Sequence, residues 1–199
     1  MRKQLLAFCL AVCLCCTLCF SVAAEEVSVS AEAAVLMETS TGEIIYARNR
    51  DERLPMASTT KIMTALVAIE NGALSTLVTV DSGAVGVEGS SVYLRAGEVL
   101  TLEDLLYSLM LESANDAAAA IAYAIGGGIP EFAEMMNAKA HSLGLTNTHF
   151  TNPHGLDDPE HYTTAADLAR LTAYALHNPD FARIVSTYRH SIPMQDGDG

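Results

Sequence analysis

The chain has 199 residues, half of them hydrophobic, which is enough for one domain with a substantial core. Its formal net charge of −13 repels phosphate backbones, so nucleic acid is excluded as a partner. All five cysteines lie between Cys9 and Cys19, so the remainder has no disulfide, thiol nucleophile or cysteine metal site.

Residues 1–24 have the pattern of a secretory signal peptide. Arg2 and Lys3 form its basic start, Leu5 to Phe20 its uncharged apolar stretch, and Val22-Ala23-Ala24 a small-residue cleavage site. That apolar stretch is shorter than the roughly 20 residues a membrane-spanning helix needs. The expectation is an exported protein whose working part, residues 25–199, is one domain.

Ala34 to Thr39 and Glu43 to Ala47 read as two strands joined at Ser40-Thr41-Gly42. A polar loop, Arg48 to Arg53, leads to Pro55, which disfavours helix before it. The segment that follows is uncharged from Ile62 to Ile69, as in a helix buried on all sides, and stops at Asn71-Gly72. Val78 to Val80 reads as a short strand, and Ser90 to Leu94 as an extended piece of a glycine-rich stretch. Thr101 caps a helix with Leu102, Leu105, Leu106, Leu109 and Met110 on its apolar face. A second helix runs from Asp116 to Ile125, so Ser113 and Asn115 sit at the joint between the two. Further helices start at Pro130, after Thr163-Thr164 and at Pro179. The Thr164 helix presents Leu168, Leu171 and Tyr174 to the core. Tyr188 to Pro193 reads as the start of a strand, and Gln195 to Gly199 as a turn.

Ser58 and Lys61 carry the chemistry at the mouth of the buried helix. Residues three apart share a helix face. A serine hydroxyl is a weak nucleophile until a neighbouring base takes its proton. Lysine serves as that base only when neutral, and burial lowers its pKa toward that state. The helix N-terminus adds backbone N–H groups near the reacting carbonyl. The plainer reading makes Ser58 an N-cap and lets Lys61 reach out to water. Against it, the chain has only three lysines, and this is its single Ser-x-x-Lys. At the interhelical joint, Ser113 can relay a proton and the Asn115 amide can bind a substrate amide; both are also ordinary helix caps. His149, His154 and His161 lie together, but their spacing matches no standard metal-ligand set, so they read as structural loop residues.

Ser58-x-x-Lys61 followed by Ser113-x-Asn115 resembles the penicillin-recognising serine enzymes. Four stretches bring the match closer to the serine D-alanyl-D-alanine carboxypeptidases among the low-molecular-mass penicillin-binding proteins. They are MASTTKIMTAL (56–66), GEVLTLEDLLYSLMLESANDAA (97–118), NAKAHSLGLTNTHFTNPHGL (137–156) and HYTTAADLARL (161–171).

The resemblance implies an α/β (α+β) fold of the β-lactamase/transpeptidase type. Such a fold has an antiparallel sheet flanked by helices, plus an all-helical region. It implies that Ser58 is the acylated nucleophile, Lys61 its base, Ser113 the proton shuttle, and Asn115 the group that holds the substrate and orients Lys61. The implied substrate is the D-Ala-D-Ala end of a peptidoglycan stem peptide on the outer side of the membrane, with β-lactams as inhibitors and no metal or cofactor. The family's third motif, Lys-Thr-Gly, does not occur after Ser113. The resemblance places it on a strand beyond residue 199, together with any C-terminal segment for peripheral membrane association. The expectation is therefore a catalytic domain truncated at its C-terminus. Two alternatives share this fold: a serine β-lactamase or DD-endopeptidase, and an inactive cell-wall-binding fragment.

Overall fold

The structure is a computed structural model that describes residues 28–192. The expected signal peptide, the cysteines and the turn at Gln195 to Gly199 lie outside the described residues. All elements named below belong to the compact unit Ala31–Gly199.

The hairpin forms as its alternation suggests. Strand β1 (Ala34–Met37) pairs antiparallel with β2 (Ile44–Arg48), with Leu36 opposite Tyr46 and a bulge after Leu36. Its turn is held by Glu38, whose carboxylate accepts from the Ser40 and Thr41 hydroxyls and the Thr41 N–H. The Ser40 N–H, together with those donors, holds the Glu38 carboxyl at about 2, below its ordinary 4.5. A second antiparallel pair joins β3 (Leu77–Thr79) to β4 (Val99–Thr101).

Helix α1 (Lys61–Asn71) is the centre of the core. Met63, Ala65, Leu66, Val67 and Ala68 are each at most 1% exposed, so the helix is sheltered nearly all round. Packed against it are α2 (Leu102–Leu111), α3 (Asn115–Gly126), α4 (Ile129–Ser142), α5 (Ala165–Leu176) and α6 (Pro179–Val185). Leu102, Leu105, Leu106 and Leu109 of α2 are fully buried, as their spacing predicts. Each such leucine contributes about 1.5–3 kcal/mol through burial. Helix α3 buries Ala117, Ala118, Ala119, Ala120 and Ala122; side chains this small let its neighbours approach closely. Thr101 and Thr164 cap α2 and α5 by accepting from the N–H groups of Asp104 and Asp167.

Four details differ from the sequence reading. The helix begins with a tight 3-10 turn, Ala57–Thr60, so Ser58 lies within a turn and caps nothing. Ser90 to Leu94 pairs with no strand, because its donors are taken by the Asp116 carboxylate. Tyr174 is 44% exposed, standing outward beneath the Lys139 ammonium, 4.5 Å from its ring centroid. Ser186 to Ile192 is irregular and exposes Tyr188.

Candidate active site

Ser58 enters the site by way of a strained backbone. Ala57 just before it has φ +46°, a left-handed conformation unusual for alanine. Gly155 explains part of this: a Cβ there would collide with the Ala57 carbonyl oxygen, and its own φ is +89°. The Asn152–Leu156 loop therefore presses directly on the turn that presents Ser58.

Side chains stitch that loop to α1. The Thr64 hydroxyl donates to the Pro153 carbonyl at 2.7 Å. The Asn152 amide oxygen accepts from the N–H groups of His154 and Gly155, closing a tight turn. One turn back, buried Thr60 meets His161 Nε2 at 2.7 Å. His161 Nδ1 accepts from the Thr151 N–H at 3.0 Å, so the ring proton sits on Nε2 and donates to Thr60. Burial lowers the pKa of His161, which favours this neutral form. Burial also lowers His154, to about 4, and Lys61 and His161, whenever protonated, act in the same direction.

Lys61 is the first residue of α1 and only 2% exposed. Its Nζ lies 2.7 Å from Asn115 Oδ1, 2.8 Å from the His154 carbonyl and 3.3 Å from Ser58 Oγ. The first two partners are carbonyl oxygens, which can only accept. The third is a hydroxyl, which can also donate. A neutral amine in this cage spends its two N–H groups on the carbonyls and turns its lone pair toward the Ser58 hydroxyl. Burial supplies the neutral form by lowering the Lys61 pKa from 10.5 to about 8. The 3.3 Å separation is long for a hydrogen bond, as is common before a substrate tightens the site.

Asn115, only 6% exposed, stands opposite at the start of α3. Its Nδ2 donates to the Glu88 carbonyl at 2.6 Å, which leaves Oδ1 for Lys61. Ser113 occupies the turn between α2 and α3 with φ +56°, and no direct hydrogen bond joins it to Ser58 or Lys61. The structure thus clusters Ser58, Lys61 and Asn115, with Ser113 two residues away in the same joint. Sequence reasoning did not single out Gly155, the His154 carbonyl or Thr60, and it read His161 only as a structural loop residue, without its partner Thr60. The one signal was the turn-forming run Asn152-Pro153-His154-Gly155, which suggests a loop and not what the loop touches.

The D-alanyl-D-alanine carboxypeptidase family, peptidase S11, matches residues 20–196. D-alanyl-D-alanine carboxypeptidase DacF of Bacillus subtilis is 38% identical over 169 residues, covering 82% of this chain and 43% of that protein. Among solved structures, D-alanyl-D-alanine carboxypeptidase DacD of Francisella tularensis aligns with a TM-score of 0.78 at 36% identity, covering 81% of this chain and 40% of that one. Penicillin-binding protein 6B of Escherichia coli aligns at 0.77 with 34% identity, covering 82% of this chain and 56% of that one. The chain therefore spans roughly half the length of the proteins it matches. These likenesses give the mixed helix-and-sheet unit the fold of the penicillin-binding DD-peptidases, as expected from the motifs. The chain belongs to the peptidase S11 family, the D-alanyl-D-alanine carboxypeptidases.

Proposed function

We propose that this chain carries the acylating centre of a serine D-Ala-D-Ala carboxypeptidase that trims peptidoglycan stem peptides. The observation that carries the reading is the sheltered Lys61 amine, held by two carbonyls with Ser58 Oγ at 3.3 Å.

Lys61 takes the Ser58 proton as Oγ bonds to the carbonyl carbon of the penultimate D-alanine. The carbon–nitrogen bond then breaks. The departing amine receives a proton through Ser113, and D-alanine leaves. Water attacks the ester, releases the shortened peptide and restores the Ser58 hydroxyl. Asn115 holds Lys61 through Oδ1, and with Ser113 contacts the substrate backbone. A β-lactam offers the same amide carbonyl in a ring, so its leaving group stays tethered and the ester on Ser58 persists. No step calls for a metal or cofactor. Because the substrate lies outside the cytoplasmic membrane, the protein acts on the wall side, which agrees with the exported start read from residues 1–24.

The test is release of D-alanine from a peptide ending in D-Ala-D-Ala by the full-length gene product. Release that disappears in Ser58→Ala supports the proposal. Release that persists in Ser58→Ala refutes the nucleophile assignment, and faster turnover of a cephalosporin than of the peptide refutes the carboxypeptidase reading in favour of a β-lactamase.

A further inference from the structure

Asn115 is useful only if its oxygen, and not its nitrogen, faces Lys61. The turned-over amide would aim an N–H at the amine. What prevents this is the Glu88 carbonyl, an acceptor with nothing to donate, 2.6 Å from Nδ2. The question becomes what fixes Glu88.

Its loop has no strand partner and no helix. It folds around the start of α3, where the Asn115 backbone N–H also donates to the Ser90 carbonyl at 2.7 Å. Gly89 between them has φ +95°, and a Cβ there would come within 2.7 Å of Asn115 Nδ2, so the loop closes tightly over the amide. Tyr93 has φ +60° and is 85% exposed, so burial of its ring does not hold that conformation in place.

The remaining restraint is Asp116, 1% exposed and next in sequence to Asn115. Its Oδ2 accepts from the Ser91 hydroxyl at 2.6 Å and from the Leu94 N–H at 3.0 Å. Its Oδ1 accepts from the Val92 N–H at 3.2 Å and from the Ala117 N–H of its own helix at 3.0 Å. The carboxylate thus grips the backbone on both sides of Tyr93 and ties the loop to the helix that carries Asn115. Four donors converge on two oxygens, a demand that an uncharged amide cannot meet.

We infer that Asp116 is a positioning residue: it pins residues 88–94 so that the Glu88 carbonyl keeps Asn115 turned with its oxygen toward Lys61. The inference rests on the acylating role proposed for Ser58 and Lys61. It assigns Asp116 no contact with the substrate. Asp116 acts through Asn115.

The test is pre-steady-state acylation of the full-length gene product by a fluorescent penicillin, with the saturating rate constant resolved from the binding constant. Asp116→Asn keeps the shape but turns an N–H toward incoming donors. It is expected to lower the rate constant about 10-fold or more and to change the binding constant by less than about 2-fold. In an Asn115→Ala background the same substitution is expected to cost less than about 2-fold, because the group it positions is already gone. Ser91→Ala removes the hydroxyl that donates to Asp116 Oδ2 and accepts from the Tyr93 N–H, and leaves the acid and its three N–H donors in place. It is expected to slow acylation about 2- to 5-fold, again only when Asn115 is present. Acylation of Asp116→Asn at the unmodified rate, or losses that multiply in the double variants, would overturn the inference. If Asp116→Asn does not fold, Ser91→Ala decides alone: an unchanged rate overturns it. Ser58→Ala separates the two levels. Labelling that survives that change would sink the acylation reading itself, whatever Asp116 does.

Discussion

Raising the pH from 7 to 9 is expected to speed acylation of Ser58 about tenfold and then to level off. Burial places the Lys61 titration at about 8 instead of the ordinary 10.5. At pH 7 an amine titrating at about 8 is neutral in about one molecule in eleven, at pH 8 in half, and at pH 9 in about ten of eleven. An unburied lysine at pH 7 would be neutral in about one molecule in three thousand, so burial raises the supply of base by roughly two orders of magnitude. The sign follows from the role: the base works deprotonated, so the rate rises with pH and saturates above the folded-state pKa. The assay is stopped-flow acylation by a fluorescent penicillin between pH 6 and 10, with protein integrity followed by circular dichroism. A rate that climbs about tenfold per pH unit through pH 10 would mean that Lys61 titrates as an exposed lysine. A flat profile would mean that another group takes the proton.

Lys61→Arg keeps a cation but not a base, since guanidinium stays protonated; acylation is expected to fall by about 100-fold or more at every pH, matching Lys61→Ala, and stopped-flow rates will show it. Gly155→Ala drives a Cβ into the Ala57 carbonyl at a left-handed position, so the turn under Ser58 must shift. The expected result is at least about 10-fold slower acylation with fold retained, read by labelling kinetics alongside circular dichroism. Leu106→Ala opens a cavity at a fully buried position of α2 and is expected to cost about 2–5 kcal/mol in urea unfolding. His161→Ala strands buried Thr60 without its donor and is expected to cost about 1–3 kcal/mol in the same measurement.

What could be read from the letters was whatever a side chain's own chemistry announces. Lys61 stood out as one amine in an uncharged run, and α1 proved to be the buried centre of the core. Thr101 and Thr164 showed themselves by acids three residues later, and both cap as expected. The leucine spacing of α2 located its buried face. What could not be read was contact made through backbone atoms, because every residue carries the same carbonyl. The His154 oxygen on Lys61 and the Glu88 oxygen on Asn115 are of this kind. Ser90 to Leu94 looked extended because valine and tyrosine suit a strand, yet a single buried carboxylate outcompeted any strand partner for the run's donors. Tyr174 followed helical spacing but stands out to solvent, its face occupied by Lys139 and its hydroxyl 3.1 Å from that amine. Ser58 itself was legible as a residue but not as part of a 3-10 turn, since the backbone that packs against the Ala57 carbonyl is that of Gly155, almost a hundred residues downstream.

The most direct measurement is peptide mass mapping of the full-length protein after exposure to benzylpenicillin. One penicilloyl adduct is expected on the peptide bearing Ser58, formed by the unaltered protein and absent from Lys61→Ala under the same brief exposure. An adduct on any other residue, or an equal yield on Ser58 without the Lys61 amine, would contradict a sheltered lysine acting as the base.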